Sequence, residues 1–128
     1  MRSVKVETAG GKFQQSVHVG PHELLADEPV DLGGEDKGLA PFEFVFTGLG
    51  ACTSMTIKMY ADRKGWPLEG VVVEVSGDKH EGAFVLQRKI KLVGELSEEQ
   101  RVRLLDIANK CPVHKMLTGQ IVIQSELV

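Results

Sequence analysis

The sequence predicts an α+β fold in which small antiparallel sheets surround one long central helix. Three observations carry that prediction. Pro41 to Gly65 reads as an uninterrupted helix, because Pro41 suits a first helical position and Arg63, Lys64 and Gly65 form a basic, glycine-terminated end. Short alternating segments joined by glycine turns precede it, and a firmer hairpin pattern with a second helix follows it.

Residues Val4 to Glu7 alternate, Ala9, Gly10 and Gly11 form a turn, and Phe13 to Val19 is a second strand. Gly20 and Pro21 turn again into a short strand from His22 to Ala26, so the start of the chain is expected to be a meander. Asp27 to Ala40 is polar and rich in glycine, as an exposed connection should be. Its glycines lack the following Lys-Ser/Thr of a phosphate-binding loop.

Within the long helix Val45, Leu49, Cys52, Met55 and Met59 recur at spacings of three and four, while Phe42, Phe46, Ile57 and Tyr60 are apolar on other faces. That is more apolar surface than one small sheet covers, which points to a partner subunit. Gly48 and Gly50 each cost about 1 kcal/mol of helix propensity relative to alanine and predict close approach of a neighbouring element. Taken alone, Cys52 reads as a small buried hydrophobe.

After Gly65, Trp66 and Pro67 end the helix, and Val71, Val73 and Val75 alternate with polar residues. Asp78 to Gly82 is the turn and Phe84 to Val93 the returning strand, with Glu74, Lys79, Arg88, Lys89 and Lys91 as its solvated face. Ser97 and Gln100 form a capping box for a helix from Glu98 to Asn109, whose expected core stripe is Val102, Leu105 and Ile107 or Ala108. Cys111-Pro112-Val113-His114 opens a further helical turn, and Gln120 to Glu126 is expected to close the chain as a strand.

A length of 128 residues predicts one domain spanning 1–128. Lys and Arg total 15 against 18 Asp and Glu, without a dense basic run or aromatic platform, which argues against nucleic acid. The first residues lack the apolar stretch of a signal peptide and no run is long enough to cross a bilayer, so no membrane role and a cytoplasmic location are expected. There, two cysteines lean towards metal or redox use rather than a structural disulfide. A closed zinc site needs about four ligands, and beyond Cys111 and His114 only Cys52 and the scattered His18, His22 and His80 remain, so redox is the preferred use and no metal is expected. At a helix start, Cys111 is the better placed thiol for ionisation, with His114 one turn on. Alone, His114 reads as an exposed or hydrogen-bonded histidine.

Gly38-Leu39-Ala40-Pro41-Phe42-Glu43 leading into Leu49-Gly50-Ala51-Cys52-Thr53, together with Cys111-Pro112-Val113-His114, resembles the OsmC/Ohr superfamily of bacterial thiol-dependent hydroperoxide reductases. The resemblance covers nearly the whole chain. It implies an intertwined homodimer, Cys52 as the attacking thiol and Cys111 as the resolving one. The implied reaction is reduction of an organic hydroperoxide in oxidative-stress defence, with an external dithiol as reductant and no metal, haem or flavin. Such a pair needs α-carbons within about 7 Å or a mobile segment, and the Asn109 to Pro112 junction offers a hinge. Members of the superfamily supply an arginine from the N-terminal region, held by a glutamate near the start of the central helix. In this chain the corresponding candidates are Lys12 and Glu43, a lysine without the planar fork and an acid displaced by Phe42 from the position after Pro41. These departures favour a second reading, in which the same scaffold binds a hydrophobic small molecule at the dimer boundary without turnover.

Overall fold

The computed structural model describes residues 1–128, which divide into two compact units, Met1–Val45 and Phe46–Val128. In the first, β1 (Lys5–Thr8), β2 (Gln15–Val19) and β3 (His22–Ala26) form an antiparallel sheet in the order β1-β2-β3, the expected meander. Val17 and Ala26 are its buried residues.

The connection that follows is more ordered than a plain loop. A single 3-10 turn covers Val30–Leu32, and the carboxylate of the buried Asp27 accepts the backbone N–H groups of Glu28, Glu35 and Lys37. Burial pushes this carboxyl up. The three N–H bonds and the Lys37 charge outweigh that effect and hold it below the usual carboxylate value. Gly38 lies so close to the Leu25 carbonyl that a Cβ would collide with backbone, and Leu39 there bridges to Ala26.

Helix α1 runs Pro41–Lys64 and ends on Gly65 at φ +68, as its terminal residues predict. Its buried line differs from the expected one. Leu49, Thr53, Ile57 and Ala61 are buried at a strict spacing of four, whereas Met55 and Met59 are exposed and Cys52 is half-buried. Thr53 was unmarked in the apolar pattern, yet it enters the core because its hydroxyl donates to the Leu49 carbonyl one turn back, at 2.7 Å. The expected close approach at the glycines is also corrected: a Cβ on Gly48 would meet open space, and one on Gly50 only ordinary contact with Val75.

Strands β4 (Leu68–His80) and β5 (Ala83–Gly94) form an antiparallel hairpin with Val71, Val73 and Val75 opposite Leu92, Ile90 and Arg88. Glu74 faces Lys89 on the outer side, where cross-strand opposite charges favour the pairing. Helix α2 (Glu98–Ala108) starts with the predicted capping box, Ser97 Oγ accepting from the Gln100 N–H and Gln100 Oε1 from the Ser97 N–H. Its core face is Leu104, Ile107 and Ala108, while Val102 and Leu105 are exposed. Ile107 and Ala108 are thus buried as expected, whereas Leu104 takes the place of Val102 and Leu105, one helical step of roughly 100° from Leu105. Ile57, Ala61, Leu68, Leu104 and Ala108 make the core, flanked by Tyr60, Trp66, Val71, Ile90 and Leu92. Burying a side chain such as Ile57 completely contributes about 1.5–3 kcal/mol.

Helix α3 (Pro112–Thr118) is the last element. Gln120 to Glu126, expected as a strand, forms none, because a strand is defined by its ladder and these exposed residues pair with no edge of this chain. No helix is long and apolar enough to cross a membrane.

Candidate functional site

Cys111 is the residue around which polar groups of the second unit gather. It is the N-cap of α3, in extended conformation at φ −63 and ψ 139, with Pro112 at the first helical position. Its sulfur is fully buried and accepts the His114 N–H at 3.2 Å. The same sulfur lies 3.8 Å from the Thr53 hydroxyl of α1. Thr53 is the residue after Cys52, so the turn of helix that carries the half-buried Cys52 is the turn that meets Cys111. Both cysteines are free thiols.

A third participant escaped the sequence reading. Arg88, expected on the solvated face of the hairpin, points inward with Leu86, Ile90 and Leu92 and is half-buried. Its Nη1 donates to Thr53 Oγ1 at 3.0 Å and to the Ala108 carbonyl at 3.2 Å, and its Nη2 donates to Asn109 Oδ1 at 2.8 Å. One guanidinium thereby joins α1 to the end of α2 just before Cys111, and all three acceptors are neutral. The available signal was register, since Arg88 shares the alternation of Ile90 and Leu92.

Arg88, Asn109 and His114 also border a cavity of about 370 Å³ whose other walls include Leu49, Leu86, Ile90, Leu105 and Leu117. Its walls mix apolar side chains with a few polar groups.

Lys12 and Glu43 belong to the first unit. The Lys12 ammonium stands 5.2 Å from the centre of the Phe13 ring. Glu43 Oε1 accepts the Ala40 N–H at 2.7 Å and so caps the start of α1, where an acid also complements the helix dipole. His, Cys, Asp and Glu nowhere form a group of three or more suited to a metal ion.

Residues 34–126 match the family model described as OsmC-like protein. The chain belongs to the OsmC-like family. Among solved structures, the OsmC-like protein from Mycoplasma pneumoniae is 20% identical, with 93% of this chain and 88% of that one covered at a TM-score of 0.78. The organic hydroperoxide resistance protein OsmC from Legionella pneumophila is 23% identical, covering 93% and 90% at a TM-score of 0.69. An organic hydroperoxide resistance protein from Elizabethkingia anophelis, with thiocyanate bound, is 20% identical, covering 93% and 90% at 0.66. These OsmC-like neighbours share the α+β fold. Among curated proteins the sequence finds no match.

Proposed function

We propose that this OsmC-like chain reduces organic hydroperoxides with its two cysteines. The observation that carries the reading is the placement of the Cys111 sulfur against Thr53, the next residue after Cys52. Support also comes from fold neighbours named for hydroperoxide resistance. The Cys52 thiolate attacks the peroxide oxygen, the O–O bond breaks, an alcohol leaves and Cys52 becomes a sulfenic acid. Cys111 then closes a disulfide with it, releasing water, and an external dithiol restores both thiols. Lys12 and Glu43 are proposed to tune the site only weakly, since Glu43 is engaged as a helix cap.

The homodimer belongs to the same proposal. Met55 and Met59 are 64% and 65% exposed on α1, and Ile121, Val122 and Ile123 are 53%, 73% and 84% exposed beyond α3. A second copy is the natural cover for these side chains, and light scattering at micromolar concentration should give twice the monomer mass of 14.0 kDa. A stable monomer would remove the dimer.

The experiment for activity is turnover of an organic hydroperoxide with a dithiol reductant, expected in the native protein and absent in Cys52→Ser. Failure with several peroxides and reductants would discard the reading. The apolar cavity beside Arg88 favours a second one, binding of a hydrophobic small molecule without turnover. Mass spectrometry of the purified protein separates the two: a carried ligand with inert thiols supports binding alone.

A further inference from the structure

Disulfide closure requires the Cys111 sulfur to attack as a thiolate, yet that sulfur is fully buried, where an ionised group persists only if hydrogen-bonded and paired. We infer that Arg88 and Thr53 form a hydrogen-bond relay that holds Cys111 in its attacking form during closure. The inference rests on the peroxidase reading and assigns two positioning residues to its second half-reaction.

The argument follows the single proton of the Thr53 hydroxyl. Oγ1 accepts from Arg88 Nη1 at 3.0 Å, and its own proton has two possible acceptors, the Leu49 carbonyl at 2.7 Å and the Cys111 sulfur at 3.8 Å. While Cys111 is a thiol, its S–H can point to Oγ1 and the Thr53 proton stays on Leu49. Once Cys111 is a thiolate it only accepts, and the Thr53 O–H turns towards it to join the His114 N–H already at 3.2 Å. Arg88 makes this turn favourable in two ways. Its N–H occupies a lone pair of Oγ1 and polarises the hydroxyl as a donor. Its charge, hydrogen-bonded only to neutral acceptors, acts on the sulfur across one intervening atom. The thiolate then forms the S–S bond with the Cys52 sulfenic sulfur, the S–O bond breaks, and hydroxide leaves and takes up a proton as water.

Single-turnover oxidation of the intact protein with one equivalent of cumene hydroperoxide separates the steps, with sulfenic acid at Cys52 and then disulfide followed by rapid quench and mass spectrometry. Thr53→Val keeps the shape and removes the hydroxyl, whereas Thr53→Ser keeps the hydroxyl and removes a methyl. The relay predicts that Thr53→Val and Arg88→Gln slow disulfide closure about tenfold or more, the effect of losing one such hydrogen bond, with Cys52 oxidation at the native rate. Thr53→Ser should close as the native protein does. A purely packing role for Thr53 gives the opposite order, with valine native-like and serine slow, and overturns the relay. Because that order is read within the Thr53 pair, it stands even where Arg88→Gln fails to fold. If native Cys52 forms no sulfenic acid at all, the peroxidase reading falls first and the relay falls with it.

Discussion

The Thr53 hydroxyl sits 3.8 Å from the Cys111 sulfur, across a sequence separation of 58 residues. Neither side chain reaches the other by local structure. Thr53 is held on the buried line of α1 by its bond to the Leu49 carbonyl, and Cys111 is held at the start of α3 by Pro112 and the His114 N–H. The contact therefore depends on the core that sets α1 against α2, which is where the first prediction applies.

Ile57 and Leu104 are both fully buried in that core. Ile57→Ala and Leu104→Ala should each destabilise the chain by about 2–5 kcal/mol, the range for removing a large aliphatic side chain from a packed interior. Urea unfolding with an unchanged slope and a lowered midpoint checks this. A midpoint within error of the native one would mean that α2 does not pack as described.

Asp27 should give the chain an acid-sensitive connection. Its carboxyl takes up a proton less readily when folded than its ordinary value of 3.8 implies, because three backbone N–H bonds favour the charged form over the opposing effect of burial. It therefore adds stability that is present above pH 3.8 and fades as the pH falls through its lower folded value. Asp27→Asn should destabilise at neutral pH and flatten this acid limb. Unfolding midpoints measured from ~pH 5 to ~pH 2 test it, and an unchanged limb would show that the N–H bonds are not felt.

Tyr60 should ionise more readily than an ordinary phenol. Arg103 Nε donates to its oxygen at 3.0 Å, and this bond, opposed by burial and aided by the charges of Arg103, Lys64 and Lys110, pulls the phenol below its usual value of 10.0. The same bond raises Arg103. Absorbance near 295 nm should titrate with a midpoint below 10.0 in the native protein and move upward in Arg103→Leu. A midpoint that ignores the substitution would contradict the pairing.

What was legible in the sequence was mostly local. The limits of α1 follow from Pro41 and Gly65, the capping box of α2 from Ser97 and Gln100, and the place of Cys111 from the proline after it. The faces of the helices were less legible, because apolar residues on several sides leave the stripe undetermined until a neighbour selects one. An apolar pattern does not mark Thr53 as a core residue, because its hydroxyl is satisfied only once the helix supplies the Leu49 carbonyl. The inward position of Arg88 is not legible locally, because its acceptors lie 20 to 35 positions away, at Ala108, Asn109 and Thr53. The stretch from Gln120 to Glu126 carries the β-branched run Ile121, Val122 and Ile123, but strand propensity supplies no partner edge.

The central claim is that Cys52 and Cys111 act as one redox pair, and the most direct measurement is the disulfide state of the protein after one equivalent of organic hydroperoxide. Non-reducing peptide mapping should find Cys52 joined to Cys111 within a single chain, while Cys111→Ser should stop at the Cys52 sulfenic acid or proceed to higher oxides. Oxidation that leaves both thiols free, or that joins cysteines only between chains, would contradict the account.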